Sequence, residues 1–307
     1  MKIPCFADLH LSGTNSENYV SNYYEDTLAL FKETLSIAKE NKSPFILDGG
    51  DLIDSPIIST IMVDEIIDLV EANGIPLYCL TGNHPLFGHS WELSKATSLA
   101  HIFRRTQMIK KLDLIETDDC IIKGYDYFHD CEAKIKEEGL FYGKKTKKWK
   151  IALVHAFLTK DKFLPSVLHI PIVEINTDYD LVLSGHNHHP FSKIIDETKF
   201  VNIGCLGRRD INEGNIEPSI ALLDTEKQSV KIIKLKSAKH KEEIFDLAKV
   251  AQNKTFEDNI DKFIASLETT KFTELDILGQ IKEIGKKENI DPEVIKEVEN
   301  RILTYQK

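Results

Sequence analysis

Five short apolar runs in this 307-residue chain each lead into residues that can ligate a metal. Ile3 to Ala7 runs into Asp8-Leu9-His10, and Phe45 to Leu47 is followed by Gly50-Asp51-Leu52-Ile53-Asp54. Ile75 to Leu80 leads into Gly82-Asn83-His84, Lys150 to Val154 into His155, and Asp180 to Leu183 into Gly185-His186-Asn187-His188. Short apolar runs bounded by glycines and polar residues read as buried strands. Their recurrence predicts strands of one sheet that deliver ligands to one edge, where open α/β sheets place their chemistry.

Between the strands the periodicity becomes helical. Leu28, Phe31, Leu35 and Ala38 recur at helical spacing between Tyr24 and Asn41, as do Ile58, Ile61, Ile66, Leu69 and Val70 between Ile57 and Ala72. Asn73-Gly74 and Pro76 close the second helix and open the third strand. This β-α-β-α-β order implies parallel strands joined by right-handed crossovers. Trp91 to Leu112 reads as a further helix, and Glu132 to Glu138 as a short one.

The second half is richer in strands: Cys120 to Lys123, Ile151 to His155, Leu181 to Ser184, Phe200 to Ile203, Ser219 to Leu223 and Val230 to Leu235. Their short connections predict a second, mixed sheet facing the first. From residue 237 the pattern turns helical, which divides the chain into a main domain, 1–236, and a helical tail, 237–307. Thr255 with Asp258 and Thr273 with Asp276 have capping-box spacing, and Asp291-Pro292 reads as an N-cap followed by proline at the first helical position. Phe256, Ile260, Phe263, Ile264 and Leu267 form one stripe, and Val294, Ile295, Val298, Ile302 and Leu303 another. These stripes either pack on the main domain or each other, or dock a partner.

The formal net charge of −10 argues against a protein that holds nucleic acid by its overall field. A local patch remains, Lys144-Lys145-Thr146-Lys147-Lys148-Trp149-Lys150 after Phe141 and Tyr142. It is either a solvated loop or a phosphate-contacting loop with aromatics available to stack. The five cysteines form no CxxC pair and read as buried free thiols, which fits a reducing cytoplasm. No basic, apolar leader and no membrane-length apolar stretch is expected.

Hard carboxylates mixed with neutral imidazoles suit Mn²⁺, Fe²⁺, Co²⁺ or Zn²⁺. Asp8, His10, Asp51, Asn83, His155, His186 and His188 are too many ligands for one open catalytic ion and sensible for two. A shared carboxylate would hold two ions about 3.5–4 Å apart, an arrangement suited to phosphoryl hydrolysis. Asp51, central in the order and following Gly49-Gly50, is the natural bridge.

The order Asp-x-His, Gly-Asp-x-x-Asp, Gly-Asn-His, His, Gly-His-x-His over Asp8 to His188 resembles the calcineurin-like metallophosphoesterase superfamily. That resemblance implies a four-layer αββα sandwich of two mixed sheets, here with a helical C-terminal extension. It implies that Asp8, His10, Asp51 and His188 hold one ion and Asp51, Asn83, His155 and His186 the other. A hydroxide bridging the ions would attack phosphorus in line, with His84 contacting the phosphate and assisting the leaving oxygen, and Asp54 orienting a ligand. Pro85 departs from the pattern, since most relatives carry an acidic residue after Gly-Asn-His.

Within the superfamily the chain is similar to the Mre11/SbcD nuclease group. The Asp8-to-Asp51 spacing is long, and the segment from Asn202 to Arg208 resembles that group's Asn-x-Gly-Ser-x-x-Arg, with Cys205 replacing the serine. The resemblance implies a DNA nuclease using Mn²⁺, with Asn202 and Arg208 binding substrate. It further implies a Rad50/SbcC-like ATPase docked on the tail and a homodimer formed near the helix after Gly-Asn-His. The alternatives are a small-molecule phosphatase or phosphodiesterase with the same metals, and a non-catalytic interaction scaffold.

Overall fold

A computed structural model describes residues 1–162, 167–268 and 277–305. In chain order β1 (Lys2–Phe6), α1 (Tyr23–Glu40), β2 (Ile46–Asp48), α2 (Thr60–Asn73), β3 (Leu77–Cys79), α3 (Ser98–Arg105) and β4 (Ile109–Lys111) form the first half. Then come β5 (Leu114–Glu116), β6 (Cys120–Tyr125), α4 (Cys131–Glu138), β7 (Trp149–His155), β8 (Leu158–Thr159), β9 (Ile170–Pro171) and β10 (Leu181–Gly185). They are followed by β11 (Phe191–Ile195), β12 (Thr198–Asn202), β13 (Ser219–Asp224), β14 (Ser229–Lys234) and the single turn α5 (Lys241–Ile244).

Two six-stranded mixed sheets result, ordered β14-β13-β1-β2-β3-β4 and β11-β12-β10-β7-β6-β5. In the first, β1 to β4 run parallel, with β13 and β14 antiparallel beside β1. In the second, β6, β7, β10 and β12 are parallel between antiparallel edges β5 and β11. The ligand-bearing strands therefore do not share one sheet. β1, β2 and β3 lie in the first, β7 and β10 in the second. Strands buried on both faces read as unbroken apolar runs, and such a run carries no mark of which sheet it joins.

Side-chain alternation builds the layers. Ile3 and Cys5 of β1 turn toward Leu153, Leu183 and Val201 of the other sheet, forming the inter-sheet core. Phe6, on the opposite face, meets Phe31 of α1 edge-on with ring centroids 5.9 Å apart. On the far side Ala152, Val154, Val182 and Phe200 pack against Cys131 and Ile135 of α4. The order helix, sheet, sheet, helix is the expected sandwich. All five cysteines are free and buried.

The helix expected over Trp91 to Leu112 is broken. A 3₁₀ turn (Trp91–Ala96) precedes α3, whose N-cap Thr97 accepts the Ala100 N–H at 3.2 Å, and β4 then pairs with β3. The cap at Thr97 competes with helix continuation. Ile109, within the expected helix, belongs to strand β4.

The chain divides into compact units Met1–Phe245 and Asp246–Lys307. Residues 237–245, assigned to the tail from sequence, belong to the first. Ser237 donates from N–H and hydroxyl to Glu33, each at 2.7 Å, and Ile244 and Phe245 are buried with Tyr19 and Tyr23. The second unit contains α6 (Leu247–Glu268), α7 (Ile277–Lys287) and α8 (Pro292–Tyr305). Ile260, Phe263, Ile281, Val294, Ile295 and Val298 bury one another, so the described parts of both apolar stripes meet within this unit. Asp291 caps α8, accepting the Glu293 N–H at 2.9 Å. Thr255 starts no helix. It sits inside α6 and donates to the Ala251 carbonyl at 2.9 Å. The Thr273 and Asp276 pair lies outside the described residues. No helix among those residues is long and apolar enough to cross a membrane.

Candidate metal centre

The loops leaving β1 and β2 run side by side. Asp8 N–H donates to Gly50 O at 3.0 Å, His10 N–H to Asp51 O at 2.9 Å and Leu11 N–H to Leu52 O at 3.1 Å. Asp8, His10, Asp51 and His186 all have left-handed backbones, with φ of 53°, 48°, 54° and 76°. Each such non-glycine position costs on the order of 1–2 kcal/mol, sustained by the surrounding hydrogen bonds. Gly82 is required by close approach, because a Cβ there would lie 2.0 Å from Asp51 Oδ1 and 2.6 Å from the Asp51 nitrogen. Gly82→Ala is expected to destabilise the metal-free protein by about 1–3 kcal/mol and weaken metal uptake, since Asp51 has to move. A thermal melt and a metal titration indistinguishable from wild type would refute this.

The two sheet ends are tied by the Asp8 carboxylate, which accepts the His186 N–H at 3.1 and 3.0 Å. Asp51 Oδ1 accepts the His84 N–H at 3.0 Å. Its Oδ2 is buried and has no hydrogen-bond partner among the described residues. Three groups bring ligand atoms within 4.8 Å of one another here: Asp8, His10 and His188; Asp51, His155 and His186; and His10, Asp51 and His84.

The donor chemistry around His155 tests whether cations fit. Its Nδ1 lies 2.8 Å from the Gly49 carbonyl, which can only accept, so Nδ1 carries the proton. In the neutral ring Nε2 then presents a lone pair, 3.3 Å from Asp51 Oδ2 and 3.2 Å from Asn83 Oδ1. Three acceptors facing one another need a positive charge between them. The same holds for the other group. His188 Nδ1 meets the Glu213 carboxylate, His10 Nδ1 lies 3.2 Å from Asp54 Oδ1, and the two Nε2 atoms face each other at 3.1 Å. Oxygen and imidazole donors without a thiolate fit two divalent cations.

Protons perform this neutralisation in the metal-free protein. Burial pushes the His155 imidazole down, but the Asp51 carboxylate outweighs it and lifts the value to about 9. Burial pushes Asp51 up, but His155 and His10 hold it well below the usual carboxylate range. Burial, reinforced by His155, drives His186 down to about 3, which leaves it neutral and ready to ligate. Because His155 titrates above its ordinary 6.5, its proton stabilises the metal-free fold fully below about pH 6.5 and ceases to do so as pH rises through about 9. Metal uptake near neutral pH is therefore expected to release protons, with affinity rising toward about pH 9. Calorimetry in two buffers of different ionisation enthalpy reads this directly, and no net release would contradict it.

The family model for calcineurin-like phosphoesterases matches residues 1–190. The chain belongs to that family. Calcineurin-like phosphoesterases typically bind two divalent ions, and the groups above are the candidate ligands. No curated protein sequence matches the chain. Among solved structures it is similar to an archaeal phosphodiesterase, at 19% identity over 76% of this chain and 100% of the other, with a TM-score of 0.39. It is also similar to the protein TT1561 of Thermus thermophilus, at 10% identity over 76% of this chain and 98% of the other, with a TM-score of 0.45.

In this phosphoesterase all seven expected ligands, together with His84 and Asp54, converge at the joined sheet ends. Asn202 and Arg208, expected to bind substrate, do otherwise. Asn202 is buried, accepts from Ser184 Oγ at 3.0 Å, and donates to the carbonyls of Asn187 and His189 at 2.6 and 2.8 Å. Arg208 is buried, with its guanidinium on the carbonyls of Gly214, Ile216 and Lys239. Their polar groups are committed to holding loops, and that corrects the expectation. Three participants had no sequence signal strong enough to single them out. The Gly49 carbonyl is backbone, and Arg209 and Glu213 lie far along the chain from the groups they contact. Tyr127 adds an aromatic wall, its ring centroid 5.8 Å from that of His186 and 6.4 Å from that of His155.

Proposed function

We propose that this phosphoesterase hydrolyses phosphodiester bonds in DNA, as a dinuclear nuclease of the Mre11/SbcD type. The observation that carries phosphodiester chemistry is a further imidazole, His84, beside the four in the two donor groups. The His84 side chain is 41% exposed, and its Nδ1 faces the Asp54 carbonyl at 3.2 Å and carboxylate at 3.4 Å. Its Nε2 has no hydrogen-bond partner among the described residues.

Asp8, His10, Asp51 and His188 would hold one ion, and Asp51, Asn83, His155 and His186 the other. When bound, such ions activate water and neutralise charge on the phosphoryl oxygens. The chain's own part is positioning and proton supply. Burial pushes His84 down, but the Asp54 hydrogen bond and the Asp51 charge lift it to about 9. It is then protonated near neutral pH and can give its proton to a departing alkoxide. Asp54, held down to about 2 against burial by His10 and His84, remains an anion that orients both rings.

The DNA reading is supported by the full helix α1 between Asp8 and Asp51, the long spacing that resembles the nuclease group. The lysines at 144, 145, 147 and 148, following a Phe141 that is 46% exposed, offer a local patch for phosphate and base contacts in a chain of net charge −10. Mn²⁺ as the metal, a Rad50/SbcC-like ATPase on the tail and a homodimer complete this reading. The test is a Mn²⁺-supported panel of duplex DNA, single-stranded DNA, a simple phosphodiester and a simple phosphomonoester. Cleavage of DNA is expected. Turnover of the small esters alone would replace this reading with a small-molecule phosphoesterase.

A further inference from the structure

We infer that the turn from Arg209 to Glu213, beyond the family-matched residues 1–190, is a positioning clamp whose two ends aim His188 at the metal and the Asp54–His84 pair at the substrate. The turn is a short 3₁₀ segment (Ile211–Glu213) whose N-cap, Asp210, accepts the Asn212 N–H at 2.8 Å. Glu213 folds back on it, with Oε2 accepting the N–H groups of Arg209 and Asp210 at 2.7 and 2.9 Å. With that oxygen anchored, Oε1 points at His188 Nδ1. An anion there fixes the proton on Nδ1 and makes Nε2 the more basic nitrogen, the arrangement in which a carboxylate tunes a metal-bound imidazole. Cys205, buried and free, lies in the same group as His188 and Glu213.

The other end of the clamp is Arg209. Its guanidinium pairs with Asp54 Oδ2, leaving Oδ1 for His10 Nδ1 at 3.2 Å and His84 Nδ1 at 3.4 Å. The same guanidinium lies 5.1 Å over the Tyr23 ring, and the Tyr23 hydroxyl donates to the His10 carbonyl at 3.1 Å. Ser16 Oγ holds the Arg209 carbonyl at 2.5 Å, and Arg208 holds the carbonyl of Gly214 at the far end of the turn at 3.2 Å. One hydrogen-bonded turn thus reaches a candidate ligand of one ion and the Asp54 that contacts His84.

The clamp rests on the metal centre and not on DNA as substrate, so its first readout is metal binding. Glu213→Gln keeps an acceptor for the turn while removing the anion. It is expected to weaken one of two Mn²⁺ binding events by about 10- to 100-fold in calorimetry, with the melting midpoint of the metal-free protein retained. Wild-type affinity for both ions would overturn the inference. So would a midpoint that falls together with affinity, since that assigns Glu213 to holding the turn alone. Arg209→Gln is expected to retain both ions and lower kcat on a simple phosphodiester, with a displaced pH profile and partial rescue by Arg209→Lys. An unchanged profile would remove Arg209 from the clamp. Failure of the DNA reading leaves both metal measurements standing.

Discussion

Asp51→Asn is expected to leave the chain folded, to bind fewer than two metal ions, and to lower kcat/KM by at least about a thousandfold. Asp51 is the one residue in both the group with His10 and His84 and the group with His155 and His186. Its Oδ1 is engaged by the His84 N–H, and its orphan Oδ2 lies 3.3 Å from His155 Nε2 and 3.9 Å from His10 Nε2. An asparagine keeps the first contact and puts an NH₂ in place of the second oxygen. That NH₂ can donate to a neutral His155, which preserves the metal-free fold, but it presents hydrogens where a cation needs a lone pair. A thousandfold loss corresponds to about 4 kcal/mol of transition-state stabilisation, within what a Lewis-acidic ion supplies. Elemental analysis beside kinetics provides the check. Two bound ions with full activity would show that Asp51 is not the bridge.

His84→Asn is expected to act differently, lowering kcat by about 100- to 10,000-fold with both ions retained. The reason is geometric. His84's Nδ1 is directed to Asp54, and its side chain is partly exposed, whereas Asp8, His10, Asp51, Asn83 and His155 are buried. A group that supplies a proton to a leaving alkoxide matters less when the leaving oxygen is already a weak base. The loss is therefore expected to shrink on a nitrophenyl ester relative to an alkyl ester. Loss of a metal ion on substitution would instead make His84 a ligand, an outcome its place beside His10 and Asp51 makes worth measuring.

The candidate ligands were legible because chemistry and local structure coincide in them. Each follows an apolar run, and parallel strands end where side chains from separate segments can meet. The division of those strands between two sheets was not legible, since Ile3 and Leu153 read alike although they belong to opposite sheets across one core. Arg208 shows the opposite failure. A charged residue near the motifs invites a substrate role, yet it is buried and turned onto backbone carbonyls. The long helix expected after Gly-Asn-His failed at Thr97, where a side-chain cap outcompetes helical periodicity.

By itself the sequence determined the alternation of strands and helices and the run of seven candidate ligands, because strand burial and ligand type are local properties written in neighbouring residues; the four-layer sandwich and the separate role of His84 were expected from the family resemblance that those residues carry. Only the tertiary structure decided which nitrogen of His155 and His188 faces the centre. That choice depends on a carbonyl at Gly49 and a carboxylate at Glu213, 106 and 25 residues away along the chain. A hydrogen bond across such a separation leaves no periodic signal, yet it sets the tautomer, and the tautomer sets which atom can hold a metal.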